Sequence, residues 1–157
     1  MSLGAAPGSD LATLERSHRD ALGESDRVVL VAERDGEVVA MAQLAPSRAA
    51  NAPHRAEVQR VAVADHVRGS GVGRRLMAAV EEEARARGLT LLWLTTHEGT
   101  SAASFYEAVG YVRMGVMPSY SRRPDGTLAA GAFFYRDLGA VAGDRAESAP
   151  LPPQPSQ

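Results

Sequence analysis

EVQRVAV at residues 57–63 and RGSGVGRRL at residues 68–76 decide the fold of this chain. The first run alternates and is rich in valine, which predicts a strand. The alternation places Val58, Arg60 and Ala62 on one face, and Glu57, Gln59, Val61 and Val63 on the other. Glycines at 69, 71 and 73 then allow a tight turn and a close approach to a ligand, because glycine has no Cβ.

An amphipathic helix is predicted directly after the glycines. Its apolar residues recur at steps of three and four and form one stripe: Val72, Leu76, Ala79, Val80 and Ala84. Glu81 with Arg85 and Glu83 with Arg87 stand four residues apart in the favoured order, and Gly88 suits the position after the last turn.

A glycine-rich loop that runs into a helix offers unpaired N–H groups to an anion, above all to phosphate. Two common phosphate motifs are excluded by spacing. The P-loop needs Lys-Ser/Thr after its last glycine, whereas Arg74 and Arg75 follow Gly73 here. The dinucleotide fingerprint needs its third glycine three positions after the second, and here the step is two. A plain glycine turn before a helix is the alternative interpretation.

Composition limits the remaining possibilities. A chain of 157 residues with 45% hydrophobic content is long enough for one domain with a true core. A net charge of −2 gives no reason to expect nucleic acid or an anionic membrane as a partner. The chain has no cysteine, which excludes disulfides and Cys-ligated zinc. No apolar run approaches the ~20 residues of a membrane span and the N-terminus lacks a signal-peptide core, so we expect a soluble, cytoplasmic protein.

The flanking elements follow from periodicity and from turn residues. A helix is predicted over about residues 10–22, and Asp35-Gly36 predicts a hairpin between strands at 27–33 and 37–44. Residues 89–96 form an apolar run that predicts a strand buried on both faces. A short helix is expected from Thr100 or Ser101 to 108 or 109, and further strands at 111–117 and 130–138 flank a turn at 124–126.

These elements predict an α/β fold. Its mixed sheet has antiparallel N-terminal strands and a central parallel pair joined by a crossover helix. Residues 1–138 form a single domain in this interpretation. Residues 139–157 carry four prolines without periodicity and are expected to be a disordered tail, with an extended arm along a partner subunit as the alternative.

Four stretches carry a family resemblance. Arg68-x-x-Gly71-x-Gly73 after a valine-rich strand resembles the pyrophosphate loop of the GNAT superfamily of acyl-CoA N-acyltransferases. Residues 104–111, SFYEAVGY, resemble the Tyr-containing helix of these enzymes. Residues 51–57 and 115–120 look like the branch of tabtoxin-resistance-type acetyltransferases. The resemblance covers about residues 25–138 and agrees with the order of the predicted elements.

The resemblance implies acetyl-CoA as cosubstrate, with no metal. Backbone groups of Val61, Ala62 and Val63 would bind the pantetheine arm. The pyrophosphate loop would consist of Arg68, Gly69, Ser70, Gly71, Val72, Gly73 and Arg74. On the short helix, Ser104 and Tyr106 would also contact the cofactor.

Acetyl transfer to an amine needs a base for the amine proton and an acid for the departing thiolate. The resemblance makes Glu57, which the alternation places on the face of Val61 and Val63, the candidate base, with a water chain as the alternative. It makes Tyr106 the candidate acid. His54 and His97 are further possible proton relays, although a histidine beside a loop is more often simply exposed.

Three features depart from the family pattern. Relatives of this branch often carry an acid where this chain has Thr95, which cannot act as a base. Gly99 stands where many relatives have Asn. One helix is predicted before the first strand, where relatives usually have a strand and two helices. We therefore expect either a trimmed acceptor site or a native start other than Met1.

The resemblance implies an N-acetyltransferase that acts on a primary amine of a small molecule, in a chain that can form a homodimer. Two alternatives stay open. One is an acyl-CoA-binding protein of the same fold without transferase activity, which Thr95 and the short N-terminus would favour. The other is a protein N-acetyltransferase.

Overall fold

One mixed sheet of six strands carries two helices in the computed structural model, which describes residues 26–139. The elements follow in the order β1 (Val28–Arg34), β2 (Glu37–Pro46), β3 (Arg55–Val63), α1 (Val72–Ala86), β4 (Leu91–His97), α2 (Ser101–Ala108), β5 (Val112–Arg122) and β6 (Leu128–Asp137). The strands lie side by side in the order β1-β2-β3-β4-β6-β5. Within this described part of the chain, β3 and β4 are the parallel pair and the other neighbours are antiparallel, which confirms the predicted fold class.

The hairpin between β1 and β2 forms as predicted. Asp35 and Gly36 both have positive φ, 53° and 80°. Two successive residues with positive φ match the twist of antiparallel strands, which is why Asp-Gly is favoured at this turn. The predicted short helix is confirmed as well: Thr100 is its N-cap residue, and Gly110 follows it with a φ of 94°.

Helix α1 crosses from β3 to β4 and buries one stripe against the sheet. Its buried apolar residues are Val72, Leu76, Met77, Val80 and Ala84. The two predicted ion pairs form, with N–O distances of 3.4 Å for Arg85 and Glu81 and 2.6 Å for Arg87 and Glu83. Both helices pack on the same face of the sheet, since their buried residues belong to one hydrophobic cluster.

The prediction that β4 is buried on both faces is wrong. Leu92, Leu94 and Thr96 are buried beneath the helices, whereas Leu91 and Trp93 on the opposite face are half-buried. The apolar run concealed the alternation because Trp93 is apolar too. The strand also starts at Leu91, two residues later than predicted.

β5 continues five residues beyond the predicted end at Met117. Pro118 and the polar residues after it concealed this continuation. β5 is the last strand of the sheet, and an edge strand tolerates proline because one side of it makes no ladder hydrogen bonds.

Two predicted segments, the helix over residues 10–22 and the tail from residue 140 to 157, lie outside the described residues. Between residues 26 and 139, no helix has the length and apolar character needed to cross a membrane.

A cluster of charges around the buried Glu81 ties α1 to β6 and to the end of α2. The Glu81 carboxylate, whose side chain is 11% exposed, lies 3.5 Å from Nε of Arg136 and 3.4 Å from Arg85. Arg136 also donates a 2.7 Å hydrogen bond to the carbonyl oxygen of Gly110. The Tyr111 phenol is enclosed beside them, and its burial, followed by the Glu81 charge, raises the pKa of Tyr111 above its ordinary value.

This cluster gives a matched test of stability. Glu81→Ala should lower the free energy of unfolding by about 2–4 kcal/mol, because it leaves Arg136 half-buried without its carboxylate. Glu83→Ala removes an equivalent i,i+4 pair from a more exposed site and should cost less than about 1 kcal/mol. Urea unfolding of both variants measures the difference, and equal costs would contradict the role given to Glu81.

Candidate active site

β3 and β4 separate part of the way along the sheet. Their parallel ladder ends after three register pairs: Arg55–Leu91, Ala56–Leu92 and Glu57–Trp93. β3 nevertheless continues to Val63 and β4 to His97. The two strands therefore diverge into a wedge-shaped gap at the centre of the sheet. We call this the central gap.

An extra residue in β3 lies where the strands separate. Gln59 pairs with Gln43 of β2 and Ala62 pairs with Met41, so three steps along β3 match two steps along β2. Arg60 lies in this bulge with a φ of 51°, in the left-handed region. A bulge bends its strand and increases the local twist, which turns β3 away from β4.

The bulge overturns the predicted alternation over residues 57–63. Val58 and Val61 are both buried in the core, although they lie three residues apart. Val63 faces the helices as well, because the Cβ position of Gly73 lies 3.5 Å from its side chain. Glu57 therefore does not share a face with Val61 and Val63, as the alternation had predicted, since the extra residue changes the side to which later residues point.

The loop after β3 prepares the start of α1. A single 3₁₀ turn, Asp65–Val67, is followed by Gly69 and Gly71 with φ values of 77° and 83°. Gly71 is the N-cap residue, and no side chain of the described residues caps the helix there. The first intrahelical bond runs from the Arg75 N–H to the Gly71 carbonyl, which leaves the preceding N–H groups to an external acceptor such as phosphate.

Gly73 has a packing role that the sequence did not predict. A Cβ at Gly73 would lie 3.3 Å from the Phe105 ring of α2, so the absence of a side chain lets α1 and α2 pack closely. At Gly69 and Gly71 a Cβ would meet no atom within 4 Å, and there the positive φ is what favours glycine.

The polar side chains of the loop have partners within the loop and in α2. Arg68 lies 2.5 Å from Asp65, and the Ser70 hydroxyl donates to the Val67 carbonyl at 2.6 Å. Arg74 donates a 3.2 Å hydrogen bond to the carbonyl of Ala108, at the end of α2. Both arginines are exposed, so they can reorient toward an anion at the start of α1.

Tyr106 of α2 is 1% exposed at the centre of an aromatic cluster. Its ring centroid lies 5.4 Å from that of Phe105 and 5.9 Å from those of Tyr111 and Phe134. Burial raises the pKa of Tyr106 above its ordinary value, with a smaller contribution from Tyr111. A tyrosine is protonated at neutral pH even at its ordinary pKa, so Tyr106 is in the form that a general acid requires. Ser104 on the same helix is exposed.

Glu57 lies on the sheet face opposite the helices, in a shallow pocket of about 230 Å³. Its carboxylate accepts a 2.7 Å hydrogen bond from the side chain of Gln59, which in turn accepts one of 3.2 Å from Arg27. This pair of bonds fixes the orientation of the carboxylate. We call the cavity the Glu57 pocket; it is lined by Asp26, Arg27, Ala45, Pro46, Ser47, Arg48, Arg55, Glu57, Gln59 and Trp93.

A bulge in β5 brings the phenol of Tyr120 to the same sheet face as Glu57. We call this face, which lies opposite α1 and α2, the open face. Between Met117 and Ser121 the strand has two more residues than β6 opposite, and Ser119 there has a φ of 56°. Tyr120 consequently lies over Gly131, with its hydroxyl 3.4 Å from that of Thr95. The neighbouring Ser121 contacts His97 at 3.0 Å, whereas His54 is exposed.

Sequence reasoning did not identify Trp93, Gln59 or Tyr120 as site residues. Trp93 was assigned to a buried strand, and Gln59 has no motif. Gly131 provided a usable indication of Tyr120, because a glycine inside a strand often marks a close approach by another group.

Among residues 26–139, no three His, Asp or Glu side chains are grouped so that they could hold a metal ion.

Comparison with known proteins identifies relatives over most of the chain. The family model described as the acetyltransferase (GNAT) family matches residues 4–111. An IAA acetyltransferase of Azospirillum brasilense is 34% identical over 120 residues, which are 73% of this chain and 76% of that protein. The mouse N-alpha-acetyltransferase 80 is 48% identical over 65 residues, 41% of this chain, but the match spans only 20% of the mouse protein.

Solved structures show the same fold. The ribosomal-protein-alanine N-acetyltransferase from Brucella melitensis superposes with a TM-score of 0.69 at 28% identity, over 83% of this chain and 80% of that one. A putative acetyltransferase from Salmonella typhimurium, yncA, solved with its cofactor acetyl-CoA, superposes with a TM-score of 0.70 at 20% identity, over 92% and 83% of the two chains.

The packing of Tyr120 against Gly131 of β6 can be tested by substituting two glycines. Gly131→Ala would place a Cβ 2.5 Å from the Tyr120 ring and should cost about 1–3 kcal/mol of stability as the ring is displaced. Gly115→Ala, in β5, would meet no atom within 4 Å and should be neutral or slightly stabilising. Thermal unfolding measures both. In a Tyr120→Ala background the cost of Gly131→Ala should disappear; a cost that persists there would contradict this contact.

Proposed function

Because this chain belongs to the GNAT family of acetyltransferases, we propose that it transfers an acetyl group from acetyl-CoA directly to the primary amine of a small molecule. The observation that carries the proposal is the central gap between β3 and β4, which opens beside the uncapped start of α1. A gap between two diverging strands suits an extended amide-containing arm, and an uncapped helix start suits a pyrophosphate.

Each part of the cofactor has a counterpart in this proposal. The β3 edge at residues 61–63 would hydrogen-bond the pantetheine arm as an added strand does. The N–H groups at the start of α1, with the loop from Arg68 to Arg74, would hold the pyrophosphate, and both arginines would add charge. Ser104, exposed on α2, would lie at the border of the cofactor. The Salmonella neighbour, solved with acetyl-CoA, supports this choice of cofactor.

The proton transfers are assigned to opposite faces of the sheet. Glu57, or a water held by it, would accept the proton of the amine on the open face. Acetyl-CoA supplies the thioester; a bond forms between the amine nitrogen and the acetyl carbon as the carbon–sulfur bond breaks. Tyr106, on the helix face, would donate its proton to the departing thiolate. The Thr95 hydroxyl lies 3.4 Å from that of Tyr120, and because threonine cannot act as a base it has no role in the proton transfers.

Acetylation of protein N-termini is a second candidate function. It is favoured by the names of two similar proteins, the mouse N-alpha-acetyltransferase 80 and the Brucella ribosomal-protein-alanine N-acetyltransferase, of which the second names a protein as substrate. The IAA acetyltransferase favours a small molecule instead. Release of free thiol from acetyl-CoA, measured over a panel of amines and short peptides, tests the proposed activity and separates the two candidates.

Binding of acetyl-CoA can be tested with two glycines that carry the same backbone strain. Gly71→Val should weaken binding by at least about tenfold, because a side chain at the N-cap obstructs the phosphate and disturbs the helix start. Gly88→Val imposes a similar positive-φ strain at the other end of α1 and should leave the affinity unchanged. Calorimetry on the folded variants measures both, and equal affinities would remove the loop from the cofactor site.

The role of Tyr106 can be tested by removing one oxygen atom. Tyr106→Phe keeps the ring among Phe105, Tyr111 and Phe134, so acetyl-CoA binding should persist while kcat falls about 10²–10⁴-fold. Tyr111→Phe removes the other buried phenol and should leave kcat unchanged.

The pH profile adds a second readout for Tyr106. Because the pKa of Tyr106 is raised above its ordinary value, the phenol stays protonated above pH 10. The rate of the parent enzyme should therefore show no decline below pH 10 that is due to deprotonation of Tyr106. An unchanged kcat in Tyr106→Phe would exclude the phenol as the acid.

A further inference from the structure

We propose that the acceptor is a free amino acid with an apolar side chain, its amine at Glu57 and its carboxylate at Arg55. This inference rests on the proposed function, because it takes the Glu57 pocket as the acceptor site. It goes beyond that function by naming the substrate class. Four features of the pocket carry it: its charges, their spacing, its apolar floor and its position at the central gap.

The charged groups of the Glu57 pocket are largely committed to each other. Arg48 makes two hydrogen bonds to the Asp26 carboxylate, at 2.8 and 3.1 Å, so these charges neutralise one another. Arg27 donates to Gln59. Among the described residues, Arg55 has no ion pair and is exposed, which leaves one available guanidinium beside one oriented carboxylate.

Arg55 and Glu57 are separated as the two charges of a small zwitterion require. Both belong to β3 and point to the open face, and residues two apart along a strand are separated by ~6–7 Å. The long Arg55 side chain can shorten the distance to a carboxylate held next to an amine. Guanidinium also binds carboxylate in a bidentate manner, which favours a carboxylate over a neutral polar group.

The rest of the pocket suits an apolar side chain of modest size. Trp93, Ala45 and Pro46 provide its apolar surface, within a volume of about 230 Å³. A peptide N-terminus would carry an amide where Arg55 would bind a carboxylate, and pairing the guanidinium with an uncharged group forgoes the charge-assisted bonds. The pocket therefore favours a free amino acid over a protein substrate.

The position of the pocket connects it to the proposed chemistry. Glu57 and Trp93 form the last register pair of the β3–β4 ladder, directly before the central gap opens. An amine held by Glu57 would therefore lie at the entrance to the gap, on the face opposite Tyr106. Occupancy of the pocket is also directly observable, because Trp93 is the sole tryptophan of the chain.

The test follows Trp93 fluorescence in the intact protein. Three matched probes are titrated: L-leucine, L-leucinamide and 3-methylbutylamine, which differ only in the carboxyl group, and L-phenylalanine with its amide and amine forms a second series. The free amino acids should bind at least about tenfold more tightly than the corresponding amides and amines, as expected for one charge-assisted hydrogen bond.

Two variants assign the charges. Arg55→Gln should weaken binding of the free acids about tenfold or more and leave the amides and amines unchanged, whereas Glu57→Gln should weaken all three kinds of probe. Arg87→Gln, at the far end of α1, is the matched control and should change nothing. Amides that bind as well as the free acids, or no fluorescence response to any free acid, would overturn the inference.

Failure of the inference can be distinguished from failure of the proposed function. If calorimetry finds no acetyl-CoA binding and no amine releases thiol, the proposed function itself is wrong. If thiol release occurs with simple amines or peptides and shows no preference for free amino acids, acetyl transfer stands and the assignment of Arg55 is wrong.

Discussion

The extra residue at Arg60 is the constraint on which the rest of the structure depends. A regular β3 would continue its ladder with β4 and close the centre of the sheet. Because three steps of β3 match two of β2 at this point, the strand turns, and its pairing with β4 ends at Glu57 and Trp93. The backbone strain at Arg60 is thus located beside the candidate site, and strained residues are common at functional sites.

The sheet separates two environments. Its helix face is an apolar core in which Tyr106 is enclosed by three other rings, and burial raises the pKa of this phenol above its ordinary value. Its open face carries half-buried polar groups, with Glu57 oriented by Gln59. In the proposed reaction, the central gap would connect the two environments. In the proposed reaction, Tyr106 as the acid and Glu57 as the base would therefore act from opposite faces of the sheet.

Elements with strong local patterns were predictable from the sequence, and geometric irregularities were not. Asp35-Gly36 and the order of strands and helices within residues 26–139 follow from turn chemistry and periodicity, and both are present. The stripe of α1 is present with one change, because Met77 is buried and the predicted Ala79 is only half-buried. The bulge at Arg60 was not predicted, because EVQRVAV alternates well enough to be a regular strand, and no residue type marks an extra residue there. The second bulge, which brings Tyr120 to Thr95, was concealed by Pro118. Consequently the family resemblance selected Glu57 and Tyr106, but only the structure shows that they lie on opposite faces.

Hydrogen–deuterium exchange with and without acetyl-CoA tests the central claim most directly, since it reports backbone amides along the gap. The claim is that the separation of β3 from β4 and the uncapped start of α1 form one cofactor site. Amides of residues 61–63 and 69–74 should gain protection when acetyl-CoA is added, while those of the β1–β2 hairpin should be unchanged. Protection confined to other segments, with both stretches unaffected at saturating acetyl-CoA, would contradict the account.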